Sequence, residues 1–96
     1  MTIEDIKIAV KEVADKYPIS HVLLFGSRAD GTSTPESDVD LIMEFSSPIT
    51  LITLSQIKQE LEEILLTKVD LVHGPIRKSD MIEIGKVEEI FSLQKT

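Results

Sequence analysis

The sequence predicts a small two-layer α/β domain. Two stretches carry apolar residues at helical spacing, three short apolar runs read as strands, and Gly or Pro punctuates most of the junctions between them. The resulting order is helix, strand, loop, strand, helix, strand, helix. At 96 residues the expectation is one domain over 1–96, since separate cores arise only in chains of roughly 250–300 residues.

The first helix starts at Thr2, whose hydroxyl can cap it, with Asp5 in the acidic first turn. Ile6, Val10, Val13 and Tyr17 follow at spacings of four, three and four, and Pro18 stops the helix. His21 to Phe25 is an apolar run between Pro18 and Gly26, which reads as a buried strand. Residues 26–38 are rich in Gly, Ser and Thr, contain Pro35 and lack any aliphatic residue larger than Ala29, so they form a loop. Val39 to Phe45 is the second strand, with Val39, Leu41, Met43 and Phe45 on one face and Asp40, Ile42 and Glu44 on the other.

Beyond Pro48, the residues Leu51, Leu54, Ile57, Leu61, Ile64 and Leu65 mark one face of a second helix and read as core. Glu60, Glu62 and Glu63 read as its solvated face. Lys68 to His73 is a third strand, ended by Gly74-Pro75, and a short helix is expected from about Ser79 to near Gly85. His21 and His73 are lone histidines at strand ends without ligand spacing, so packing is the simpler role for both.

Composition narrows the function. Lys plus Arg is 10 against 17 Asp plus Glu, a formal net charge of −7. Phosphate-backbone binding depends on clustered cations, so direct nucleic-acid binding is not expected, and an anionic membrane surface would repel the chain. The four aromatic residues, Tyr17, Phe25, Phe45 and Phe91, are too few for a base-stacking platform. The absence of cysteine removes disulfides, thiolate metal sites and a cysteine nucleophile together. No apolar run approaches the ~20 residues of a membrane span, and Met1 to Asp5 does not read as a signal peptide. The expected location is the cytoplasm.

The chemistry gathers around the long loop. Asp38 and Asp40 stand two apart at the start of a strand, so their side chains leave the same face about 6.5–7 Å apart. Two such carboxylates stay ionised cheaply only with positive charge between them. A pair of magnesium ions roughly 3.5–4 Å apart meets that need and would clamp the oxygens of a phosphoryl displacement. The simpler alternative is that both aspartates cap a turn and face water. Asp70 interrupts an aliphatic strand; beside the second strand it would complete a carboxylate triad, and otherwise it could pair with Lys68. Gly26 permits close approach of a ligand to the backbone and Ser27 adds a hydroxyl donor. Arg28 could contact a phosphate or pair with Asp30 or Asp38. The lysine of a P-loop is missing, and there is no G-x-G-x-x-G.

Gly26-Ser27, ten residues, Asp38-Val39-Asp40, and later Val69-Asp70-Leu71-Val72 resemble the nucleotidyltransferase pattern of the DNA polymerase beta superfamily. The short chain and the run from Gly26-Ser27-Arg28-Ala29-Asp30-Gly31 to Ser37-Asp38-Val39-Asp40-Leu41 resemble the minimal nucleotidyltransferases of prokaryotes. The resemblance extends from the first helix to about Ile76.

It implies a nucleotidyltransferase fold, a small mixed sheet of about three strands with helices mainly on one face. Asp38, Asp40 and Asp70 would be catalytic and metal-binding, holding two Mg2+ ions, and Gly26, Ser27 and Arg28 would bind the nucleotide. The reaction implied is transfer of AMP from ATP to a hydroxyl, with release of pyrophosphate. Such proteins commonly serve as antitoxins that adenylylate a tyrosine of a helical HEPN ribonuclease toxin. The alternative is an antitoxin that silences its partner by docking alone. Members often carry a basic or aromatic residue where this chain has Asp30, and a carboxylate there lowers the local positive potential. The acceptor site must come from a partner or from another copy in a homo-oligomer, because the chain is too short to contain it.

Overall fold

The N-terminal capping box forms as the sequence predicts. The Thr2 hydroxyl accepts from the Asp5 backbone N–H at 3.2 Å, and the Asp5 carboxylate accepts from the Thr2 N–H at 2.8 Å. These bonds open helix α1, Ile3–Ala14, which buries Ile6, Ala9, Val10 and Val13. The helix ends well before Pro18; the Asp15 N–H donates to the Lys11 carbonyl at 3.2 Å, and the Lys16 and Tyr17 N–H groups donate to the Val13 carbonyl at 3.1 and 3.0 Å. The computed structural model describes residues 2–26, 37–74 and 87–93.

Strand β1 is Ile19–Phe25, two residues longer at its start than the apolar run, and β2 is Val39–Phe45. They pair antiparallel, with Phe25 opposite Asp40 and Val22 opposite Met43. Helix α2, Leu51–Leu65, is capped by Thr50, whose hydroxyl accepts from the Thr53 N–H at 3.1 Å. Strand β3, Val69–His73, runs parallel to β2, the α2 crossover supplying the reversal that parallel strands require. Strand β4, Glu88–Ser92, then pairs antiparallel with the other edge of β1. The sheet order is β3-β2-β1-β4. The sheet is mixed, with four strands where about three are expected. The expected helix near Ser79 lies outside the described residues.

The core lies between the helices and one face of the sheet. Val22, Leu24, Val39, Leu41, Met43 and Val69 from the strands meet Ile6, Val10, Val13, Ile57 and Leu61 from the helices in one cluster. Among the described residues no polar or charged side chain is fully buried. The stripe on α2 is narrower than its pattern suggests. Only Ile57 and Leu61 are fully buried and Leu65 packs partly buried against the core, whereas Leu51 is 82% and Ile64 41% exposed.

The acidic side of α2 is not simply solvated. Glu60 accepts from the Lys16 ammonium at 2.7 Å and from the Tyr17 hydroxyl at 2.5 Å, tying the end of α1 to α2. The Glu62 carboxylate accepts from the Val69 N–H at 3.0 Å and so fixes the start of β3.

Candidate active site

Pleating places Asp40, Ile42 and Glu44 on the face of β2 away from the helices, as the alternation predicts. The parallel register then sets Asp70 directly beside Asp40 across the β2–β3 pair. The Val39 N–H donates to the Lys68 carbonyl at 2.9 Å, which locks that register at the strand starts. Asp38 lies two residues before Asp40, at the entrance to β2. Gly26 closes β1 on the other side of Asp40, next to Phe25, the direct partner of Asp40 in the antiparallel pair. Three strands thus bring Gly26, Asp38, Asp40 and Asp70 to one end of the sheet. Ser27 and Arg28 lie outside the described residues.

Gly26 is needed here for two reasons. Its φ is +78°, a region that L side chains avoid, and a Cβ would stand 2.5 Å from the Asp40 Oδ2. The glycine therefore makes room for the carboxylate as well as for any ligand.

The electrostatics centre on Asp40. Its pKa is raised, first by partial burial, then by the charge of Asp70 and a hydrogen bond with it, and by the charge of Asp38. Among the described residues no lysine, arginine or histidine forms an ion pair with Asp38, Asp40 or Asp70. Asp70 is not paired with Lys68, the alternative its neighbourhood in sequence allows.

Among the described residues no three acidic or histidine side chains close around one point as a complete metal cage. The donor set is open, made only of carboxylate oxygens, and electrostatically short of positive charge. That combination fits magnesium, which keeps several waters and is typically held by one or two carboxylates plus substrate phosphates. The carboxylates stand apart from the groove of about 390 Å3 lined by Asp5, Ile8, Ile64 and Leu65, which contains no carboxylate pair.

The surroundings of His21 are not visible in the sequence. Its Nδ1 lies 2.7 Å from Glu44 Oε2 and its Nε2 3.1 Å from Glu89 Oε2. A lone histidine in a strand gives no sign of acceptors that come from two other strands. His73, in contrast, has the packing role expected of it, stacked on Phe45 with ring centroids 5.3 Å apart.

The chain is similar to several known proteins. The model of a nucleotidyltransferase domain matches residues 6–95. A protein of Methanocaldococcus jannaschii with the provisional name protein adenylyltransferase MJ0126 is 33% identical over 78 residues, covering 76% of this chain and 80% of that protein. Protein adenylyltransferase MntA of Thermococcus cleftensis is 29% identical over 95 residues, covering 95% of this chain and 96% of its own. Among solved structures, the complex of a tri-AMPylated Shewanella oneidensis HEPN toxin with its MNT antitoxin matches with a TM-score of 0.70. That match covers 97% of this chain and 74% of the other at 19% identity, a likeness of fold. No helix among the described residues is long and apolar enough to cross a membrane.

Proposed function

The chain belongs to the nucleotidyltransferase domain family, and from that premise we propose that it is a magnesium-dependent protein adenylyltransferase acting as an antitoxin. It transfers AMP from ATP to a hydroxyl of a partner protein, a tyrosine of a HEPN-type toxin, and works in the cytoplasm as a single minimal domain. The observation that carries this reading is the in-register pair Asp40 and Asp70, with Asp38 beside them and no protein cation among the described residues to neutralise them. The names of the relatives support a protein acceptor, and the AMPylated toxin bound to the structural neighbour supports a HEPN-type partner.

In this reading Asp38 and Asp40 hold magnesium, with Asp70 as the third acidic ligand. The metal, when bound, neutralises charge on the triphosphate and on the leaving pyrophosphate. Gly26 gives the nucleotide close access to the backbone, and Ser27 and Arg28 are assigned to the phosphates from the sequence. Asp70 accepts the proton of the attacking hydroxyl. The acceptor oxygen forms a bond to the α-phosphorus, the bond from that phosphorus to the oxygen bridging to the β-phosphate breaks, and pyrophosphate leaves with the electron pair.

Incubation with the partner, ATP and magnesium should add about 329 Da per event to the partner, one AMP residue, as read by intact-mass spectrometry. A tight complex with no mass shift would overturn the transferase reading in favour of docking alone.

A further inference from the structure

His21 sits in β1 with each ring nitrogen on a carboxylate from a different neighbouring strand. Glu44 belongs to β2, and Glu89 belongs to the edge strand β4. A neutral imidazole carries one N–H and can donate to only one acceptor; the other nitrogen would turn a lone pair toward the second carboxylate. Two ionised acceptors at 2.7 and 3.1 Å therefore require the imidazolium. We propose that His21 is a proton-operated latch that holds edge strand β4 to the sheet while protonated and releases Glu89 when it loses its proton.

Among the described residues, the groups that face His21 are few. Glu44 faces it from β2 and Glu89 from β4, and Ser92, its direct partner in β4, is uncharged. Helix α1 packs on the opposite face of the sheet. Glu88 pairs with Leu24, three residues further along β1. Partial burial lowers the pKa of His21, but the hydrogen bonds and charges of Glu44 and Glu89 outweigh it, and the net shift is upward. A raised folded pKa means the latch is fully closed below the ordinary imidazole value of 6.5 and is lost as pH rises through the folded value above it. Beyond His21, β4 is held by its backbone ladder, by the Leu93 N–H donating to the Ser20 carbonyl at 2.8 Å, by the buried Ile90 and by Phe91, partly buried against the core. Loss of one side-chain tie is therefore felt. The latch sits on β1 and β2, the strands that carry Gly26, Asp38 and Asp40 at their other end.

The test is an NMR titration of the full chain between about pH 5 and 9, following the two histidine rings and amide hydrogen exchange in β4, corrected for intrinsic rates. Since Glu89 is well exposed, the expected fall in protection of Ile90, Phe91 and Leu93 is only about two- to fivefold, in step with the His21 titration, with no matching step in α2. Glu89→Ala should lower the His21 pKa and remove the step, and Glu44→Ala should lower the pKa by the shorter bond. Protection of β4 that ignores the His21 titration, or a His21 pKa unmoved in Glu89→Ala, would overturn the latch.

Discussion

One face of the sheet gathers carboxylates at both of its ends, with opposite consequences. At one end Glu44 and Glu89 flank His21, a group that can carry the balancing charge, and the result is a tie between three strands. At the other end Asp38, Asp40 and Asp70 meet with no such group among the described residues, and Asp40 is pushed toward its neutral form. Ile42 lies between the two ends on β2 and is buried, so they are separated by an apolar spacer. Acidic clusters with a built-in cation hold structure together; those without one call for a cation from outside. The net charge of −7 conceals this division, and two magnesium ions at the second end would cancel four of those charges.

The largest expected effect breaks the proposed metal end outright. Asp38→Asn combined with Asp40→Asn should abolish AMP labelling of the partner while the circular dichroism spectrum stays native; persistent labelling would refute the assignment of both aspartates. Gly26→Ala comes next, because the added methyl meets the Asp40 carboxylate and the positive φ adds strain. Labelling should fall at least tenfold, and a denaturant titration should show a loss of about 1–2 kcal/mol from the left-handed backbone alone.

A smaller effect sharpens the contrast in charge. Since the folded pKa of Asp40 is raised above 3.8, its ionisation costs stability as pH rises from that value toward and through the folded one. Asp40→Asn should therefore raise the melting temperature of the metal-free protein at pH 7. Added magnesium should stabilise the wild type more than the variant, and equal stabilisation would argue against metal at Asp40. The smallest effect lies outside both ends: Tyr17→Phe removes the bond to Glu60, so melting should fall slightly and labelling should not change.

Much of the fold was legible where local chemistry and tertiary role coincide. Thr2 and Asp5 cap α1 because the partners are three residues apart. The alternation of Val39 to Phe45 correctly sorts the helix-facing side chains from Asp40 and Glu44. Strand β4 was not legible. Of its five residues only Ile90 is buried, and a bulge interrupts its pairing with β1, so no period-two pattern survives in Glu88 to Ser92. The reading of α2 fails at Leu51 and Ile64 for a related reason, since periodicity shows which residues share a face but not which of them a neighbouring element covers.

The sequence by itself determined strands β1 to β3, the two helices and the residue types of the carboxylate end. Those depend on spacings of two, three and four residues, which backbone geometry converts directly into shared faces. Only the tertiary structure decided that Asp70 lies beside Asp40, that a Cβ at residue 26 would strike the Asp40 carboxylate, and that His21 joins Glu44 to Glu89. These contacts span 14 to 68 positions of chain, and they are set by strand register, which the whole core fixes and no local pattern encodes.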